Sequence, residues 1–164
     1  PWITGVSSLF TREYFEIARD ALTRAMASAP QILFVAAAGN SNQDASFVED
    51  IPAGIVLPNL ITVGAVDKAG DEAPFTSYGP TVVAHANGYL VESVIPGGET
   101  LAESGTSMSA PQVSNLAAKM LAVNPALAPE QVIALIRDTT DRTADGRRFL
   151  IHPKKALAAA QARK

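Results

Sequence analysis

Leu60-Ile61-Thr62-Val63-Gly64-Ala65-Val66 is a run in which only Thr62 has a polar side chain. A strand with one wet face alternates apolar and polar residues. This continuous run instead predicts a strand covered on both faces, as in a parallel sheet flanked by helices. Asp67-Lys68-Ala69-Gly70 closes it with turn-forming residues. Upstream, Ile32-Leu33-Phe34-Val35 follows Pro30 and has the same character, so it too reads as a strand buried on both faces. Downstream, Thr81-Val82-Val83-Ala84 is a third candidate. Tyr89 to Ile95 reads as one arm of a hairpin turned by Pro96-Gly97-Gly98.

Helical spacing fills the intervals. Tyr14, Ile17, Ala18, Leu22, Ala25 and Ala29 predict a helix over about Arg12 to Ala29, with Thr11 as its N-cap. Ala110, Val113, Ala117, Met120 and Leu121 predict a second, from Ser107 to Val123. A third starts at Pro129-Glu130, where proline suits the first helical position, and runs to about Arg137. A fourth begins near Pro153, carried by Ala156-Leu157-Ala158-Ala159-Ala160. Strands alternating with helices predict an α/β fold of three layers, with a mostly parallel sheet between helices. The 164 residues suffice for one domain with a real core, and no repeat, low-complexity tract or linker divides them.

Composition narrows the function classes. A net charge of -3 gives no electrostatic reason to expect nucleic acid or an anionic membrane as partner. The absence of cysteine excludes disulfide scaffolds and cysteine-rich zinc sites. No apolar run approaches the roughly 18 residues that a membrane span requires.

Chemistry concentrates in Gly105-Thr106-Ser107-Met108-Ser109-Ala110-Pro111. Pro111 has no N–H for the carbonyl of Ser107, so it fits only near a helix start. Ser107 then sits where free backbone N–H groups and the helix dipole favour negative charge. One reading is a plain helix cap. The other is a nucleophile whose own N–H stabilises the oxyanion it creates. Asn40 closes the apolar stretch that ends at Gly39. It is either a turn residue or a neutral amide donor at the C-terminal end of a strand, where α/β folds place ligands.

Taken together, Gly-Thr-Ser-Met-x-x-Pro resembles the nucleophile signature of the subtilisin-like serine proteases. Val35-Ala36-Ala37-Ala38-Gly39-Asn40 is similar to that family's strand ending in the oxyanion-hole asparagine. Ile61 to Asp67 resembles the next strand, and Phe75-Thr76-Ser77-Tyr78-Gly79-Pro80 its Phe-Ser-x-x-Gly loop. Asn124-Pro125-x-Leu127-x-Pro129-x-Gln131-Val132 resembles the helix after the nucleophile helix. These blocks stand in the family's order. The resemblance implies a serine endopeptidase with Ser107 as nucleophile, Asn40 in the oxyanion hole, and Ala37 and Gly39 lining the pocket for a substrate side chain. It also implies a polypeptide substrate and a secreted or periplasmic setting.

The chain departs from that pattern in one decisive way. The family's order is Asp, His, Ser, and residues 1–39 contain no histidine. The expectation is therefore that residues 1–164 are the C-terminal portion of a single subtilisin-like domain, with its Asp and His upstream of this stretch, and that the stretch alone is inactive. His85 and His152 read as surface or capping residues, and neither matches the family's base. Gln112 replaces a histidine often found after the motif's proline, a packing variation. Members of the family often bind calcium. The loops Asp44 to Asp50 and Asp67 to Glu72 offer oxygens without ligand spacing, so no cofactor is assigned to this stretch and calcium is left to the parent protein. A truncated sheet exposes an edge, which predicts self-association. The competing reading is a non-catalytic binding or assembly module that keeps the subtilisin-like core. A nucleotide-binding domain is disfavoured, since no Gly-rich phosphate loop follows a strand.

Overall fold

In the computed structural model, residues 2–46 and 50–163 are described, with side chains from Arg12 onward. β1 (Phe34–Ala37), β2 (Leu60–Val66) and β3 (Val82–Asn87) run parallel, and β2 is buried along its whole length. That is the outcome predicted from its unbroken apolar run. β7 (Phe149–Leu150) extends the sheet in parallel beside β3, and β6 (Asp141–Arg142) closes it antiparallel, giving the order β1-β2-β3-β7-β6. β4 (Val91–Val94) and β5 (Thr100–Glu103) form the expected hairpin apart from this sheet.

Helices cover the two faces. α2 (Thr106–Val123), α3 (Pro129–Asp138) and α4 (Pro153–Ala162) pack on one side. There Ile61, Val63, Ala84 and Ala86 meet Val113, Leu116, Met120, Val132, Ile136 and Ala160 in the main core. On the other side α1 (Trp2–Ala27) brings Met26 onto Ala36, Leu60 and Ile55. The three layers and the mostly parallel sheet agree with the reading of the sequence.

Two local expectations need correction. β1 is half-buried rather than covered on both faces, because among the described residues it is the edge of the sheet and has a neighbour on one side only. α1 begins at Trp2 and runs through Thr11, so Thr11 lies inside the helix and is not its N-cap.

His85 is a third correction. It lies inside β3 at 3% exposure, on the face opposite α2. Its ring lies across Gly64 of β2, where an added Cβ would stand 2.6 Å from the imidazole. The Phe149 N–H donates to Nδ1 at 3.2 Å, and the Ile151 N–H donates to the His85 carbonyl at 3.0 Å. Burial, followed by the nearby Arg148 guanidinium, lowers its pKa from 6.5 to about 4. A protonated ring can no longer accept the Phe149 N–H. The neutral form is thus favoured by folding, and its contribution is complete above pH 6.5. It falls as pH drops from 6.5 towards 4 and is gone below that. We predict a stability loss of about 3 kcal/mol across this window, read from urea denaturation, and its disappearance in His85→Asn. A pH-independent midpoint in the wild-type chain would refute it.

Candidate active site

α2 starts at the C-terminal end of the parallel strands, tied to the segments that follow β1 and β3. The sharp turn after β1 passes through Gly39, whose φ of 101° lies in the left-handed region that favours glycine. The Gly39 carbonyl accepts from the Ser77 N–H at 2.9 Å, while its own N–H donates to the Thr106 hydroxyl at 3.2 Å. Asn40 follows directly. Its Oδ1 accepts the Thr106 backbone N–H at 2.9 Å and the Thr106 hydroxyl at 3.0 Å.

These two bonds orient the carboxamide. With Oδ1 held by Thr106, Nδ2 is the end left for another partner, and it lies beside Gly105, 3.4 Å from where a Cβ would stand. β3 secures the same helix start from the other side. The Gly105 N–H donates to the Gly88 carbonyl at 2.8 Å, the Ser109 hydroxyl to Ala86 at 3.0 Å, and the Gln112 amide to Asn87 and Met108 carbonyls. Gly88 permits this approach: a Cβ there would stand 2.7 Å from the Gly105 carbonyl oxygen. Gln112 is therefore a clasp between α2 and β3, more than a neutral change of packing.

Ser107 emerges exposed in the first turn of α2, after the buried Gly105 and Thr106. Its position leaves its backbone N–H without an intrahelical acceptor. An electrophilic carbonyl beside the Ser107 hydroxyl would face two neutral donors, the Ser107 N–H and the Asn40 amide. The fold thus brings Ala37, Gly39 and Asn40, which are neighbours in sequence, to the same end of the sheet as the distant Ser107. It brings no histidine there. His85 is sealed under the β6–β7 hairpin, and His152 caps α4, its Nδ1 accepting the Lys155 N–H at 3.2 Å.

The Asp44 carboxylate accepts the Ser46 N–H and hydroxyl, and that of Asp67 accepts the N–H groups of Ala69 and Asp71. Among the described residues, no group of three acidic, histidine or cysteine side chains converges. Among these residues, too, no helix is long and apolar enough to cross a membrane.

Residues 6–156 match the sequence profile of the subtilase family, peptidase S8. The chain belongs to the subtilase family. It is 41% identical over 106 residues to subtilisin-like protease 1 of Trichophyton rubrum, covering 63% of this chain and 20% of that protein. Subtilisin of Bacillus pumilus is 36% identical over 113 residues, 69% of this chain and 39% of the relative. This subtilase chain therefore spans well under half the length of these curated relatives. A cold-adapted subtilisin-like serine proteinase superposes with a TM-score of 0.74 at 31% identity, over 82% of this chain and 50% of that structure. A protease from Pseudoalteromonas arctica superposes at 0.76 and 23% identity, over 84% and 46%, which supports the fold alone.

The Asn40–Thr106 clamp yields a prediction about stability. Thr106 is 1% exposed, so Asn40→Ala leaves two buried donors unpaired and is expected to cost about 1–3 kcal/mol. Asn40→Asp keeps an acceptor, adds a negative charge at a helix N-terminus, and is expected to stay within about 1 kcal/mol of wild type. Urea denaturation of both variants checks this. Equal losses would show that Oδ1 does not hold the helix start.

Proposed function

We propose that this chain is the serine-bearing part of a subtilisin-type endopeptidase domain, with the activating histidine and aspartate supplied by residues outside it. The Ser107 hydroxyl attacks the scissile carbonyl while the histidine takes its proton. The resulting oxyanion is held by the Ser107 N–H and the Asn40 Nδ2. Its collapse expels the amine, which receives the proton, and leaves an acyl-enzyme on Ser107 for water to hydrolyse. Ala37 and Gly39 line the pocket for the substrate side chain. An extracytoplasmic setting goes with this reading.

The observation that carries the proposal is the orientation of Asn40, clamped through Oδ1 so that its donor end remains beside the helix that presents Ser107. A serine hydroxyl without a base is a poor nucleophile. Fluorophosphonate labelling of the chain alone is therefore expected to be slow, while the whole protein labels rapidly at Ser107 and Ser107→Ala not at all. In the whole protein, Asn40→Ala should slow turnover by about 10²–10³, a magnitude carried over from subtilisin itself. Whole protein that labels no faster than the chain alone would favour the non-catalytic module.

We also infer self-association of the isolated chain. β1 presents an unpaired edge among the described residues, and α1 leaves Tyr14 and Ile17 exposed at 71% and 62%. Light scattering should show a mass that rises with concentration; a strict monomer at high concentration is the contrary result.

A further inference from the structure

The face of Gly39 that borders the expected side-chain pocket looks onto a carboxylate. A Cβ added at Gly39 would stand 2.7 Å from Oδ2 of Asp50 and 3.1 Å from the Ser77 hydroxyl. Asp50 is half-buried, at the start of the turn in which its backbone carbonyl accepts the Gly54 N–H at 3.0 Å. Its side chain makes no hydrogen bond or ion pair with the described residues, in contrast to Asp44, Asp67, Asp71, Asp141 and Asp145, whose carboxylates all have partners. The Ser77 hydroxyl is shared with Ser41 at 3.2 Å. The Gly39 backbone groups are themselves occupied by Ser77 and Thr106. The surface beside Gly39 is therefore polar and carries a carboxylate, that of Asp50, without a partner among the described residues.

We propose that Asp50 is a specificity-determining residue, and that the pocket bordered by Ala37 and Gly39 takes a cationic, lysine- or arginine-like side chain of the substrate. A carboxylate kept partly from water costs free energy unless a cation meets it, and an incoming ammonium or guanidinium both neutralises it and donates hydrogen bonds. An aliphatic or aromatic side chain in the same place would strip water from Asp50 and return nothing. Discrimination then comes from the penalty on the wrong substrate as well as the gain on the right one. Gly39 is part of the device, because the Cβ of any larger residue would collide with the Asp50 carboxylate.

This assignment rests on the peptidase reading, so two experiments separate them. In the whole protein, labelling of Ser107 is compared for peptidyl diphenyl phosphonates carrying an arginine-like or a phenylalanine-like side chain. The serine oxygen bonds to phosphorus as phenoxide leaves with the serine proton. The arginine-like probe should react roughly tenfold to a hundredfold faster, and Asp50→Asn should remove most of that ratio, each rate being normalised to the same protein's labelling by a plain fluorophosphonate. Ser107 that labels well without any preference for the cation overturns the proposal and leaves the peptidase reading standing. The second experiment needs no chemistry at Ser107: binding of butylguanidinium, followed through the amide resonances of Ala37 to Asn40. Asp50→Asn is nearly isosteric and retains the Gly54 turn, so it should weaken binding severalfold with the fold preserved. Equal binding by the variant, or shifts that miss these residues, overturns the proposal. Cation binding without labelling by any probe retains the pocket and removes the peptidase.

Discussion

The Asn40 carboxamide fixes the end of one strand against the start of the helix that presents Ser107. Through one oxygen it accepts both donors of Thr106, tying the end of β1 to the first residue of α2. Gly39 reinforces the tie by donating to the Thr106 hydroxyl and accepting from Ser77. The helix start is fixed from the other side by β3 through Gly88, Ala86 and Asn87. Ser107 is the next residue. Its position is thus set by the C-terminal ends of two parallel strands, not by a flexible loop.

The rest of the architecture makes that placement stiff. β2 runs between β1 and β3 and is buried throughout, so the two strand ends cannot slide independently without breaking a packed core. Val113, Leu116 and Met120 seat α2 on Ile61, Val63 and Ala84. Asn124 ends the helix by donating to the Ala160 carbonyl at 3.0 Å, which locks α4 beside it. Such rigidity suits a site in which donors must be in place before charge develops.

How far all this was legible depended on whether the responsible contacts were local. β2, α2, α3 and the β4–β5 hairpin follow from apolar runs, helical spacing and turn residues, and their bounds fell close to those expected. Ser107 and Asn40 stand out as candidates because the residues around them form motifs. The partial exposure of β1 was not, since an apolar run does not say whether a strand has one neighbour or two. β6 and β7 are two residues each, too short to leave a periodic signal. His85 looked like a surface residue because its burial depends on Gly64, Arg148 and Phe149, from two other parts of the chain. The glycine in the middle of β2 was the available sign that something large approaches there. Nothing in the sequence likewise signals that the Asp50 carboxylate approaches Gly39.

The identity of residue 40 bears on whether this core is kept for chemistry or for assembly. Structurally, the position needs an acceptor for two Thr106 donors at the N-terminus of a helix. An aspartate would meet that need at least as well: its oxygens accept more strongly, and its charge is favoured by the helix dipole. Asparagine forgoes that advantage and adds a neutral N–H donor pointing away from Thr106. A module that only had to hold its fold gains nothing from that donor. A site where negative charge develops on a substrate oxygen gains from it directly, and would be opposed by a fixed carboxylate in the same place. The choice of asparagine beside an exposed serine therefore argues for acyl transfer on physical grounds that do not depend on the resemblance to any relative.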